Sequence, residues 1–160
     1  MKYFLSALFV SLCFLFACKS DTKNSATKQA PFVALPSGLT AESKPNYQAL
    51  MQMHDDAMIK LDTVVRLQKK LKDILHEENV SVQNPTEQSN EVRSALSELN
   101  KAEDIMYKWM HNFNGKMDTL NADGQLGYLV MEKFMMEEIR EQILFSIEKG
   151  NKTLTKIGRN

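Results

Sequence analysis

The sequence predicts an all-α protein: an antiparallel, up-down-up three-helix bundle that follows a signal peptide and a flexible linker. Three stretches between residues 46 and 157 place apolar residues three and four apart, which is the spacing of one helix face. The connections between these stretches are short, and short connections favour antiparallel neighbours. No stretch alternates apolar and polar residues as a half-buried strand does. We therefore predict that residues 46–157 form one helical domain.

The first 17 residues are predicted to be a lipoprotein signal peptide. Lys2 precedes an apolar run that is too short to span a membrane, since a span needs about 20 residues. The run ends in Leu15-Phe16-Ala17-Cys18, the pattern that precedes cleavage by the lipoprotein signal peptidase. We expect Cys18 to carry two or three acyl chains, which suffice for stable anchoring. An ordinary cleaved signal with an incidental cysteine is the alternative.

Residues 18–45 are predicted to be the lipidated Cys18 and a flexible linker. The sequence after Cys18 is polar and lacks periodicity, and Pro31, Pro36 and Pro45 interrupt the rest of the segment. About 26 flexible residues reach on the order of 30 Å, enough to lift a domain clear of lipid headgroups. We expect a protein outside the cytoplasm, anchored by lipid to the cell membrane or the outer membrane. The only other cysteine, Cys13, would leave with the signal peptide.

The first predicted helix runs from Asn46 to about Glu78. The residues of its predicted contact face, which we call the seam, recur every three or four positions, and charged residues lie between them. A helix of roughly 30 residues is typical of bundles. The predicted seam is Tyr47, Leu50, His54, Ala57, Leu61, Val64, Gln68, Leu71 and Leu75.

The second predicted helix begins at Asn84 as the cap, with Pro85 in the first helical position. It ends at Asn112–Gly115, where glycine can adopt a left-handed conformation. Its predicted apolar face is Val92, Leu96, Leu99, Ala102, Met106, Trp109 and Phe113.

The third predicted helix comes after a loop at 118–124 and runs from about Gln125 to Lys149 or beyond. If Gly150 ends it, the tail would add a short fourth helical segment. Its predicted apolar face is Leu126, Val130 or Met131, Phe134, Met135, Ile139, Ile143 and Ile147.

An up-down-up bundle would bring methionines from all three helices to one end. Three interpretations of this end remain open. The methionines could fill an irregular part of the core, or they could line an adaptable groove for an envelope protein or an apolar ligand. The binding candidates are Met51, His54, Met106, Trp109, Met110, Phe113 and Met135.

The third interpretation is a soft-metal site for Cu(I) or Ag(I), which thioether and imidazole ligands suit. The candidate ligands are His54, Met58, Met110 and His111. The sequence lacks a repeated Met-x-x-Met run, and Met51 and Met53 point to different faces of a helix. These two observations argue against the metal interpretation.

Other classes of function lack support in the sequence. Twenty basic residues balance twenty acidic ones without a basic stripe, so we predict no nucleic-acid partner. The stretch His76-Glu77-Glu78-Asn79-Val80 lacks the second histidine of a zinc protease motif. The stretch Asn121–Gln125 resembles part of a calcium loop but lacks its final glutamate. We predict neither an enzyme nor a cofactor.

Two stretches resemble small lipoproteins of Bacteroidota, many of which carry the automatic name "viral A-type inclusion protein". They are Met53-His54-Asp55-Asp56-Ala57-Met58 and the segment from Ala102 to Phe113 that contains Tyr107-Lys108-Trp109-Met110-His111. The resemblance covers roughly residues 47–148. It implies a helical, lipid-anchored envelope protein and offers no catalytic residues. The resulting expectation is a binding or structural module of the cell envelope, with a soft-metal-binding lipoprotein as the alternative.

Overall fold

A computed structural model describes residues 35–77, 86–113 and 117–159. The predicted signal peptide, Cys18 and the linker up to residue 34 lie outside the described residues. The helices are α1 (Lys44–Glu77), α2 (Glu87–Asn112) and α3 (Ala122–Lys156), with a short 3-10 helix at Met117–Thr119. Each long helix packs against the other two. The prediction of an all-α three-helix bundle is confirmed.

Contacts at the two ends of the bundle give the helix directions. At one end, Arg159 after α3 lies 3.2 Å from Glu77 at the end of α1. Lys156 pairs there with Glu91 in the first turns of α2. At the other end, Phe113 after α2 contacts rings near the starts of α1 and α3. The helices therefore run up, down and up.

The ordered part of the domain begins before residue 46. The side chain of Gln125 is almost fully buried in α3, and its Nε2 donates a hydrogen bond to the Gly38 carbonyl at 2.9 Å. Its Oε1 accepts a hydrogen bond from the Thr40 backbone N–H at 3.0 Å. Ser43 is fully buried just before α1 begins. The segment from Gly38 to Ser43 thus belongs to the bundle rather than to a free linker.

The start of α2 differs from its prediction. The N-cap is Thr86, whose side chain accepts a hydrogen bond from the Ser89 N–H at 3.1 Å. The Ser89 hydroxyl donates back to the Thr86 carbonyl at 2.9 Å. Threonine is also a good cap, and this reciprocal pair satisfies the first turn without Asn84. The predicted cap at Asn84 is therefore wrong by two residues.

The predicted start of α3 needs a correction, and its end, predicted at Lys149 or beyond, lies at Lys156. The helix starts three residues early, because Asn121 caps it by accepting from the Gly124 N–H at 2.9 Å. It also continues through Gly150, so the fourth helical segment does not form. A Cβ atom at Gly150 would lie 3.2 Å from Leu67 Cδ1, which indicates that glycine serves close helix packing there. The helix ends at Lys156. Gly158 follows with a φ of 71°, and the Arg159 N–H donates a hydrogen bond of 2.9 Å to the Leu154 carbonyl.

The predicted apolar face of α3 is wrong in its first half. The residues that face the core there are Gln125, Leu129, Glu132 and Met136. Four apolar residues of the predicted face are instead exposed: Val130, Met131, Phe134 and Met135. The first half of α3 is thus partly polar on its inner side and apolar on its outer side. The predicted core positions Ile139 and Ile143 are correct.

Candidate functional site

Aromatic rings from all three helices meet at one end of the bundle. The Trp109 and Phe113 rings of the α2 end are stacked, with centroids 4.8 Å apart and planes 17° apart. Phe113 also stacks on Tyr47 at 6.2 Å and on Tyr128 at 6.0 Å. The His54 ring lies 5.6 Å from the Trp109 ring. We call these five residues the aromatic end.

A buried carboxylate lies beside this cluster. Glu132 Oε2 accepts a hydrogen bond of 2.7 Å from Trp109 Nε1, and both residues are buried. The Tyr128 hydroxyl is buried and forms no hydrogen bond of normal geometry among the described residues, although it lies close to the Glu132 carboxylate. Burial raises the pKa of Tyr128 above its ordinary value, and a hydrogen-bond interaction with Glu132 and the charge of that carboxylate raise the pKa further. The two neutral donors and the carboxylate form a polar element inside an otherwise apolar end.

The predicted metal ligands lie in different surroundings. His54 Nδ1 lies 3.0 Å from Asp55 Oδ1, and the His54 ring packs on Trp109. His111 is exposed in the last turn of α2, whereas Met58 and Met110 are partly buried against the core. No group of three or more His, Cys, Asp or Glu residues within the described ranges is arranged to hold a metal ion.

The nine methionines of the predicted domain fall into three groups. Met106, Met117 and Met136 are buried in the core. Met131 and Met135 are exposed on α3. The remaining four pack partly buried against the core: Met51, Met53, Met58 and Met110. The methionines therefore belong partly to the core and partly to surface grooves.

The first of these grooves lies between α2 and α3 and has a volume of about 420 Å³. It contains two of the predicted binding residues, Trp109 and Met135. We call it the α2–α3 groove. Its lining residues are Ile105, Trp109, Asn112, Glu132, Met135, Glu138, Ile139 and Gln142.

A second groove, of about 330 Å³, contains two other predicted binding residues, Met110 and Phe113. Tyr47 of α1 and Met117 of the 3-10 helix also line it, together with Pro36, Ser37 and Asp118. It shares no lining residue with the α2–α3 groove. Four of the seven predicted binding residues are therefore divided between two grooves, whereas Met51, His54 and the fully buried Met106 line neither of them.

An apolar surface lies on the other side of α3, facing α1. Met53 lines one groove with Val130 and Phe134, and a neighbouring groove with Ile59. Phe134 is 67% exposed and Ile59 is 72% exposed. These four residues form what we call the outer patch: Met53, Ile59, Val130 and Phe134.

Sequence reasoning missed Glu132 and Ile59 as site residues. Glu132 lies between Leu129 and Met136 at spacings of three and four, so it shares their face of α3. That spacing was a usable signal for a buried acid. Ile59 lies off the predicted seam of α1, and an apolar residue outside the seam gives no signal of its own.

No protein-family model matches the chain, and comparisons with curated proteins and with solved structures find no significant match. Among the described helices, none is both long enough and apolar enough to cross a membrane.

Proposed function

We propose that this chain is a lipid-anchored, extracytoplasmic binding module of the bacterial cell envelope, without catalytic activity. Anchoring rests on Leu15-Phe16-Ala17-Cys18 and on the polar sequence after it. Two or three acyl chains on Cys18 would hold the domain at a membrane without a protein span. The tether would leave the bundle free to meet other envelope components.

The observation that carries the binding role is the outer patch. Several large apolar side chains lie next to each other there, and soluble domains rarely expose such a surface without a partner. Charged residues of both signs border the patch, namely Lys133, Glu137 and Arg140 on α3 and Asp56 and Lys60 on α1. An apolar centre with a charged rim is typical of protein–protein interfaces. We therefore propose another envelope protein as the partner.

Site-specific photo-crosslinking in cells that make the protein natively tests this proposal. A photoreactive phenylalanine in place of Phe134 should give one discrete adduct of higher mass. The same residue at exposed Lys152, near the far end of α3, serves as the matched control and should give none. Equal crosslinking at positions 134 and 152, or none at 134, would refute the outer patch as the partner surface.

A second variant tests the anchor separately. Cys18→Ser should move the protein from the membrane fraction to the soluble fraction and abolish incorporation of labelled fatty acid. The crosslink at position 134 should weaken in that background, because the domain is no longer held beside its partner. Unchanged fatty-acid labelling in Cys18→Ser would reject the lipid anchor and leave the outer-patch result to stand by itself.

A further inference from the structure

The α2–α3 groove contains a buried carboxylate that no cation neutralises. Glu132 is only 6% exposed, and the partner of its Oε2 is the neutral indole N–H of Trp109. No lysine, arginine or histidine within the described ranges forms an ion pair with Glu132. Buried carboxylates are normally paired with a cation, because removing a charge from water is costly. Glu132 therefore has a neutral hydrogen-bond donor in Trp109 but no cation as a counter-charge among the described residues.

The surroundings of Glu132 add a second carboxylate and no basic group. Glu138 lies at the exposed rim of the same groove, and none of the groove's eight lining residues is basic. Gln142, another lining residue, donates a hydrogen bond of 3.3 Å to Glu98 outside the groove. The lining of the groove therefore supplies Glu132 with no counter-charge.

The rest of the groove is apolar. Ile105 of α2 and Met135 and Ile139 of α3 line it beside the two acids. Its volume of about 420 Å³ lies in the range of small-molecule sites in proteins. A ligand that fits must therefore combine positive charge with an apolar body.

We propose that the α2–α3 groove binds an organic ammonium ion with a short apolar body. The ammonium group would lie at Glu132 with Glu138 at the rim, and the body would lie against Ile105, Met135 and Ile139. An anion would meet two carboxylates, and a neutral ligand would leave Glu132 without a counter-charge. This site is separate from the outer patch, since the two share no residue and lie on the α2 and α1 sides of α3.

The protein contains one tryptophan, and it lies in this groove. Its fluorescence therefore reports directly on binding. The full chain, reconstituted in phosphatidylcholine vesicles, is titrated with n-hexylamine, hexanol or hexanoate. Hexylamine should change Trp109 emission saturably, and its affinity should fall at high salt because the pairing is electrostatic. Hexanol and hexanoate should bind at least tenfold more weakly.

Two substitutions and one control locate the site. Glu132→Gln keeps an oxygen that can accept the Trp109 hydrogen bond but removes the charge, and should weaken hexylamine binding at least tenfold. Met135→Lys places an ammonium group in the groove from an exposed position, so it should block hexylamine even if Glu132→Gln fails to fold. Glu141→Gln, an exposed acid of the same helix outside the groove, should change the affinity less than twofold.

The proposal is overturned if hexylamine and hexanoate bind equally, or if hexylamine gives no saturable change. It is also overturned if folded Glu132→Gln or Met135→Lys binds hexylamine as the natural protein does. Crosslinking at position 134 is read independently, so failure of this site leaves the proposed partner surface untouched.

Discussion

Tyr128 carries the polar atom whose burial is least compensated in the described part of the chain. Its hydroxyl is buried and forms no hydrogen bond of normal geometry there, although its ring stacks on Phe113. A buried unpaired hydroxyl costs about 1–3 kcal/mol. The neighbouring carboxylate of Glu132 disfavours ionisation of the same group, which raises the pKa of Tyr128 together with burial. Both effects make this residue a sensitive test of the polar element at the aromatic end.

We predict that Tyr128→Phe stabilises the protein by about 1 kcal/mol near neutral pH, because it removes the unpaired hydroxyl and keeps the stacked ring. The difference in the free energy of unfolding between Tyr128→Phe and the natural protein should increase above pH 10. The raised pKa of Tyr128 means that its contribution to stability is complete below the ordinary tyrosine pKa of about 10 and is lost as the pH rises above it. Urea unfolding followed by circular dichroism at pH 7 and at pH 10.5 measures both effects.

Tyr107→Phe is the matched control for this substitution, because Tyr107 is exposed in the last two turns of α2. Its stability should stay within about 0.5 kcal/mol of the natural protein at both pH values. A Tyr128→Phe variant that is destabilised would show that the hydroxyl has a hydrogen-bond partner in solution.

Among the helices, α1 and α2 were largely predictable from sequence because their core positions are mostly apolar, as with Leu61 and Leu99. Leu67 and Ile74 are buried beside the predicted seam of α1, since a helix of 34 residues turns its contact face along its length. The sequence left open whether Gly150 ends α3, because glycine weakens an isolated helix, whereas the bundle needs the space that a side chain would fill.

The face of α3 could not be read from hydrophobic periodicity. Val130, Met131, Phe134 and Met135 repeat at helical spacing and imitate a core face, although all four are exposed. The inner face contains Gln125, whose Nε2 donates to three backbone carbonyls, those of Gly38, Met117 and Leu120. Those acceptors lie 5 to 87 residues away in sequence. Satisfaction of a buried amide by such distant groups is invisible before the fold is known.

Two glycines of α3 should respond oppositely to the same substitution. Gly127→Ala should stabilise the protein by about 0.5–1 kcal/mol, since alanine favours the helix and nothing lies within 4 Å of the new Cβ. Gly150→Ala should destabilise the protein despite the same preference of alanine for the helix. Its Cβ would lie 3.2 Å from Leu67 Cδ1 and 3.5 Å from Leu99 Cδ1. Urea midpoints of the two variants measure the difference. Equal stabilisation by both would show that α3 does not approach α1 and α2 closely at Gly150.

At the scale of the whole molecule, α3 gives the bundle two kinds of surface. On its α2 side a groove contains a buried acid beside the single tryptophan, and on its α1 side the outer patch exposes apolar residues. The fold itself depends on apolar packing among three helices, with hydrogen bonds of Gln68 to Asn100 and Glu103 joining α1 to α2. The outer patch lies outside these contacts, whereas the α2–α3 groove shares the core residues Trp109 and Ile139 and the Trp109–Glu132 hydrogen bond with the packing of α2 on α3.

The segment before α1 should decide how much of the chain the folded domain needs. Residues 35–159 should fold alone, without lipid or metal, into a helical domain that melts cooperatively. A fragment limited to residues 46–157, the boundaries that the sequence suggested, should be several degrees less stable. It lacks the Gly38 and Thr40 partners of Gln125, the buried Ser43 and the two residues that close the end of α3, Gly158 and Arg159. Loss of Thr40 leaves the Gln125 Oε1 without its donor, at a cost of about 1–3 kcal/mol, whereas Nε2 keeps the Met117 and Leu120 carbonyls. Thermal melts of the two fragments by circular dichroism, each with chelator present, make the comparison.

Equal melting temperatures would show that the segment before α1 contributes nothing to the domain. A disordered 35–159 fragment would show that folding requires the anchor or a bound partner.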